Sequence, residues 1–388
     1  MRTDLHLYAT TPMPDAGPGP PAPEDRRATN EEVVDTYGNL CRWARQADDL
    51  GYDTLWLTEH HFQHEGYEVT PNLILFGVHL AGITRNLRQG QAFNVVPQWH
   101  PLRLAEDFAA ADVLTGGRMV FGVGRGTVPR ESQTLGAVVA SGDNAMSRAA
   151  DEINRERFEE AMEVIKTAWT QERFSHQGKH FSYPLAGIPD RGREVRELTL
   201  VPRPTRPVEI YQPVSSPRTL TYVAQQGHVG LFALASPERM RRSWDLFAEQ
   251  AAEVGRHLGP GEGRCMQLMV HAGKSTEAAI TRARPGHDEY VKFLRPYGRF
   301  AQYGDDLPFG YAPTLEETRA ARAMAIGSVD DVVDVLAEFR ETLDLQHVLL
   351  FPELPGLTPD EIDEQLSLLA EEVMPRLGVQ MGAAAGAS

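Results

Sequence analysis

Apolar residues return along this chain in two rhythms. One is the short, nearly unbroken run, as in Thr54-Leu55-Trp56-Leu57, of the kind a strand buried on both faces has. Strands are read there and at 5–9, 89–96, 118–123, 208–212, 229–232, 265–271 and 346–351. The other is the helical rhythm, seen first at Val33, Tyr37, Leu40, Ala44 and Ala47. That helix opens at Thr29, with Glu32 three residues on completing a capping box, and Gly51 suits its C-terminal end.

The two rhythms alternate, and a recurring device marks many of the junctions. Thr70-Pro71, His100-Pro101, Ser216-Pro217, Ser236-Pro237 and Thr358-Pro359 each follow a strand or its loop. Proline suits the first helical position, and in all but the histidine pair a hydroxyl is there to cap the free amides. Eight strand–helix units predict a parallel sheet, and that number points to a closed (β/α)8 TIM barrel rather than an open doubly wound sheet. The expectation is one domain over 1–388, with insertions near 126–150, 171–207 and 285–318 and a disordered tail at 378–388.

Composition narrows the function. The 388 residues carry a formal charge of −16, without a basic tract, which argues against nucleic acid and anionic membrane surfaces as partners. Two cysteines form no disulfide framework, and neither a signal-peptide core nor a long apolar span is present, so a cytoplasmic setting is expected.

Candidate chemistry gathers at strand ends, where parallel α/β folds bind ligands. The 54–57 run stops at Glu59-His60-His61, three ionisable groups that are costly to bury without partners or a task. Adjacent residues on a strand face opposite ways, so one histidine should face the barrel mouth and the other pack sideways. A metal site is a minor reading, since no HxH, HExxH or Cys/His cluster occurs. Gly122-Val123-Gly124-Arg125-Gly126 is not a dinucleotide fingerprint, but it lets a flat or anionic ligand near the backbone with Arg125 as planar donor. A tight turn with a solvated arginine explains it as well. Ser215-Ser216-Pro217-Arg218-Thr219 places hydroxyls and free amides at a helix start, which suits an anion, though capping by Ser216 alone accounts for one hydroxyl.

Three stretches carry a resemblance: GYDTLWLTEHHF at 51–62, NVVPQWHPLRLAEDFAAADVLTGGRMVFGVGRG at 94–126, and YQPVSSPRTLTYVAQQG at 211–227. Together they resemble the bacterial luciferase-like, flavin-dependent monooxygenases. The resemblance implies a (β/α)8 barrel, often a homodimer, that takes reduced FMN from a separate flavin reductase. Oxygen would then form a flavin peroxide that attacks a small organic substrate. His60 would be the active-site histidine, a neutral imidazole moving a proton, with Glu59 and His61 orienting it. Ala92, Phe93 and Asn94 would lie beneath the flavin ring, with a cis peptide at Ala92-Phe93. Arg125, Ser215, Ser216 and Thr219 would hold the flavin phosphate. Gly124 stands where the luciferases proper have a cysteine, and the aldehyde-binding segments do not match, which speaks against light emission. Two rival functions share the fold, a deazaflavin-dependent hydride-transfer enzyme and a non-catalytic flavin-binding protein. Tyr290, Phe293, Tyr297, Phe300 and Tyr303 suggest that 285–318 is a loop serving as a lid over a dry site.

Overall fold

A computed structural model describes residues 1–138, 145–303 and 307–382 of the chain. The barrel strands are β1 (Arg2–Leu7), β2 (Thr54–Leu57), β3 (Arg88–Gln91), β4 (Met119–Gly124), β5 (Ile210–Pro213), β6 (Val229–Phe232), β7 (Arg264–Gly273) and β8 (His347–Phe351). All pair in parallel in chain order, β7 pairs with β8 and β8 with β1, and β4 pairs with β5 through Ile210 and Tyr211 opposite Phe121 and Gly122. These pairings close the sheet into the (β/α)8 barrel. All eight overlap stretches read as strands; several are apolar runs buried on both faces, whereas β3, Arg-Gln-Gly-Gln, is polar although Gln89 and Gln91 are buried.

The helices between strands are α1 (Asn30–Leu50), α2 (Leu73–Gly82), α3 (Pro101–Leu114), α4 (Ala145–Thr170), α5 (Pro217–Gln226), α6 (Pro237–Ala252), α7 (Thr276–Leu294), α8 (Val329–Leu343) and α9 (Pro359–Leu368). The Thr29 capping box forms as expected, and Gly51 ends α1 in the left-handed region at φ 81°. Ser216, Ser236 and Thr358 cap their helices through their side chains, and His100 does not. Thr70 caps nothing. Its hydroxyl donates to the carbonyl of Thr58, and Asn72 caps α2 instead.

The barrel interior is packed from the bottom. Trp56, Val120, Tyr211, Leu231, Cys265 and Leu349 meet there as one apolar cluster. Trp56 occupies the axis because Gly90 on the neighbouring strand has no side chain, and a Cβ there would come within 2.2 Å of the indole. The indole Nε1 donates to Asp4 Oδ2 (2.7 Å), which also contacts His347 Nε2 (2.8 Å), and Arg2 closes on Asp4 Oδ1 at 3.2 Å. Burial opposes ionisation of Asp4, but Arg2 and His347 outweigh it and hold the carboxyl well below its usual range. One layer higher on the same inward faces stand His6 of β1 and Gln267 of β7, two residues beyond Asp4 and Cys265.

The insertions differ from expectation. The segment after β4 is shorter than 126–150, since α4 begins at Ala145, and it includes a short helix, Pro129–Thr134. Residues 139–144 lie outside the described residues. The 171–207 insertion forms two small antiparallel hairpins. The expected loop at 285–318 is largely helical, as α7 runs to Leu294 and a further helix spans Leu315–Ala320. Pro285 sits inside α7, where it removes one helical hydrogen bond. Burial of Ala279, Ala283, Gly286, Tyr290, Val291 and Phe293 along one face outweighs that loss. The sequence reading also passed over an added strand, Met324–Ser328, on β7. The start of the expected tail is packed: Val379 is buried and its amide bonds the carbonyl of Met374 (3.1 Å). The tail from 383 lies outside the described residues. Among the described residues no helix is long and apolar enough to cross a membrane.

Trp56→Ala should lower the unfolding free energy by about 3–5 kcal/mol, the usual cost of emptying a large aromatic site. Chemical denaturation measures it, and a loss under about 1 kcal/mol would mean the plug is not the organising contact of the barrel.

Candidate active site

A cavity of about 260 Å³ opens at the C-terminal ends of the strands. His60, three residues past the end of β2, faces into it, and the backbone amide of His60 is held by the carbonyl of Thr70 (3.3 Å). The imidazole lies between two carboxylates. Its Nδ1 is 3.0 Å from Glu131 Oε1 and its Nε2 is 3.0 Å from Glu68 Oε2. Burial by itself would lower the His60 pKa, but Glu68 and Glu131 outweigh it and raise it to about 9. At that pKa the ring carries a proton on each nitrogen at neutral pH, one facing each carboxylate, where the resemblance implied a neutral imidazole.

The two carboxylates are not equivalent. Glu131 also receives Gln63 Nε2 at 3.0 Å; burial pushes its pKa up, but the bond from His60 wins and leaves it lowered. Glu68 has fewer donors. Burial raises its pKa to about 7 against the pull of His60. Glu68 and His60 thus face each other across a 3.0 Å contact on the cavity wall, close enough for a proton to pass between them.

Glu59 and His61 hold each other instead of orienting His60. His61 Nε2 is 3.0 Å from Glu59 Oε1, and Glu59 accepts from Trp99 Nε1 (3.1 Å) and the Val95 amide (3.2 Å). Glu59 fastens the end of β2 to the segment after β3, and His61 is held beside it rather than in the cavity lining.

The peptide between Ala92 and Phe93 is cis, and both residues line the cavity. Asn94 is turned into the wall, where its Nδ2 donates to Gln91 Oε1 (2.5 Å) and to the carbonyl of Gly122 (3.0 Å). Gly122 is required here, since a Cβ would fall 1.7 Å from the Gln91 carbonyl oxygen.

On the β4–β5 side, Arg125, Ser215 and Thr219 line the cavity. Ser216 spends its hydroxyl on the cap, 3.2 Å from the Thr219 amide and 2.9 Å from Thr219 Oγ1. Arg125 Nη1 and Arg155 Nη2 grip one carboxylate, Asp151, at 2.8 and 3.2 Å, while Arg218 forks onto Glu152 at 2.6 and 2.7 Å. Burial, then Arg125 and Arg218, lower the pKa of Arg155, and its buried Nε has no hydrogen-bond partner among the described residues. Three guanidinium groups, with Asp151 and Glu152 between them and Glu159 nearby, thus gather beside the N-terminus of α5, whose free amides suit an anion.

Sequence reasoning missed Glu68, Glu131 and Arg155. Glu68 had a faint signal, as an acid between Tyr67 and Val69. Glu131 lies in an aperiodic insertion and Arg155 in a charged helix, and neither stands out before the chain is folded.

The sequence profile of the luciferase-like monooxygenases matches residues 12–346. The chain belongs to that family. It is a flavin-dependent monooxygenase, and flavin and oxygen are its means of oxidation. It is similar to 4-hydroxyprotoasukamycin monooxygenase of Streptomyces nodosus subsp. asukaensis, 26% identical over 355 residues that cover 87% of this chain and 85% of that one. It also resembles the oxygenase component of the flavin-dependent trigonelline monooxygenase of Acinetobacter baylyi, 29% identical over 156 residues, 40% of this chain and 39% of the relative. Its fold superposes on the oxygenating constituent of 3,6-diketocamphane monooxygenase of Pseudomonas putida, solved with FMN. The TM-score is 0.73 at 19% identity, over 97% of this chain and 98% of that one.

With a folded pKa above the ordinary 6.5, His60 pairing stabilises the fold fully below about pH 6.5 and is lost as pH rises through about 9. Histidine NMR should show His60 titrating near pH 9, and Glu131→Gln should bring that midpoint down by at least one unit. A midpoint at the ordinary value in the unsubstituted protein would remove the imidazolium from this site.

Proposed function

We propose that this monooxygenase is the oxygenase half of a two-component system, taking reduced FMN from a separate reductase and oxygenating a small, neutral organic substrate. The observation that carries the reading is the His60 imidazolium, clamped by Glu68 and Glu131, in the same cavity as the Arg125 corner. The buried Nε of Arg155, which makes no hydrogen bond among the described residues and lies 4.0 Å from Glu152, and the crowded guanidiniums fit the phosphate of a mononucleotide. Bound reduced flavin supplies the electrons that activate oxygen.

The chain's own residues do the rest. Arg125, Arg155, Ser215 and Thr219 hold the phosphate at the β4–β5 edge. Ala92, Phe93 and the Gly122–Gly124 backbone form the wall for a flat ring, with Asn94 bracing that wall from behind. His60 moves a proton at Nε2, and Glu68, with its pKa near neutrality, takes it up or returns it. Glu59 and His61 keep the end of β2 in place. From above, Tyr290, Phe293, Leu294, Tyr297 and Arg299 close the cavity, and Arg299 Nη2 reaches Thr127 Oγ1 at 3.3 Å. This strap, partly helical rather than a loop, excludes water from the proton-bearing pair. Leu75 on α2 and Val113 and Leu114 on α3 present apolar side chains to solvent, which supports the homodimer.

Arg155→Ala should weaken FMN binding about tenfold or more while leaving riboflavin, which lacks the phosphate, nearly unchanged. Calorimetry measures both, and equal losses would move the phosphate away from this corner. In an anaerobic mix, the protein should bind reduced FMN and change its rate of oxidation on exposure to oxygen; oxidation as in buffer alone would favour the deazaflavin-dependent reading. Tyr297→Ala should raise the share of oxygen released as hydrogen peroxide, and unchanged coupling to product would mean the strap is no lid.

A further inference from the structure

His6 is a titratable group on the cavity wall that the proposed chemistry does not use. It is 2% exposed and lines the cavity. Its Nδ1 is 3.0 Å from Gln267 Nε2. An amide nitrogen only donates, so Nδ1 accepts and the ring hydrogen stays on Nε2. That Nε2 has no hydrogen-bond partner among the described residues. Burial lowers the His6 pKa to about 3, so the ring stays neutral and Nε2–H remains a donor across the working range of pH. A buried donor without an acceptor costs free energy unless a ligand completes it.

The surroundings say what kind of ligand. His6 packs edge-on to Tyr8 with ring centroids 5.2 Å apart and lies 4.8 Å from Phe351. Tyr8 in turn stacks beside Tyr290 at 6.3 Å, and all three of these aromatic rings line the cavity. Aromatic walls favour flat rings in offset or edge-on contact. Glu68 and Glu131 at the same mouth are balanced by His60 and Arg299, so the wall offers an incoming ligand no unmatched charge to pair with. Thr58, also on the wall, has a buried hydroxyl oxygen with no partner among the described residues.

Position separates this site from the anion corner. Around the closed ring, Arg125 and Ser215 follow β4 and β5, whereas His6, Gln267 and Phe351 belong to β1, β7 and β8 on the opposite wall. A ligand anchored by phosphate at β4–β5 and a second ligand against β1–β8 would face each other across the mouth.

We propose that His6, set by Gln267, is a specificity-determining residue whose Nε2–H donates to a carbonyl or ether-like oxygen on an uncharged aromatic substrate lying among Tyr8, Tyr290 and Phe351. The proposal rests on the reading of this mouth as the oxygenase site, and it names the substrate class for it. The hydrogen bond selects the oxygenated molecule, and Gln267 acts through the ring by fixing which nitrogen bears the hydrogen.

Two probes of nearly equal shape, acetophenone and ethylbenzene, test it by calorimetry on the whole protein with oxidised FMN present. The unsubstituted protein should bind acetophenone about tenfold tighter, and His6→Phe should bring the two within about twofold. Gln267→Leu, which keeps the ring but frees its tautomer, should narrow the preference while FMN affinity stays the same. Equal binding of the probes by the unsubstituted protein would overturn the proposal without any variant. Should His6→Phe weaken FMN as much as acetophenone, His6 serves the flavin and the substrate assignment falls. If the unsubstituted protein fails to bind FMN at all, it is the oxygenase reading that fails, a result distinct from loss of probe selectivity.

Discussion

Pairing of β4 with β5 closes the sheet, and the whole mouth depends on that closure. It is a short seam, Ile210 and Tyr211 against Phe121 and Gly122, but it brings the Gly124-Arg125 turn beside the Ser215-Ser216 turn. Without it the arginine corner would have no hydroxyl side. The seam holds because the interior beneath it is full. Trp56 and Tyr211 meet at 4.8 Å near the axis, and Asp4 ties the indole to Arg2 and His347. A packed barrel is a rigid base, and rigid strand ends are where a geometry-sensitive site belongs.

On that base the site separates three kinds of work by position. The β4–β5 edge gathers three guanidiniums around Asp151 and Glu152, with helix α5 adding its N-terminal dipole. Beside it, the end of β2 carries a histidine that two carboxylates keep charged. Across the mouth, β1, β7 and β8 present aromatic rings and a neutral imidazole. The two histidines illustrate how surroundings assign roles. His60 and His6 are the same side chain, and one is held protonated by Glu68 and Glu131 while burial without a charged partner keeps the other neutral.

The strap over the mouth belongs to the same logic. Glu289, buried on α7, receives Arg26 at 2.9 Å, the Gly17 amide at 3.0 Å and the Tyr67 hydroxyl. These contacts bind the Pro-rich segment after β1 and the loop that carries Glu68 to the helix from which the strap begins. Burial would raise the Glu289 pKa, but the bonds from Lys292, Tyr67 and Arg26 outweigh it and leave it lowered.

Much of this was legible in the residues. Strands buried on both faces are mostly apolar, so runs such as 54–57 and 229–232 could be read directly, and helix starts such as Thr29 and Ser216 are local chemistry. His60 and Arg125 were visible because ionisable groups at strand ends break an apolar pattern. The reading of 285–318 as loop failed where a proline and glycines argued locally against a helix that burial of Tyr290 and Phe293 stabilises from a distance. Glu68, Glu131 and Arg155 were hidden for the same reason. What makes each of them functional is a neighbour far away in the chain, and only the fold brings the neighbours together. The charge state of His60 is likewise a tertiary property, because it is set by the distance to carboxylates and by the loss of water around them. By itself, the sequence determined the barrel, the family and the strand ends on which chemistry is placed. The closed structure alone decided which side chains meet there, since local patterns record burial and turns, whereas contact across a barrel leaves no period in the chain.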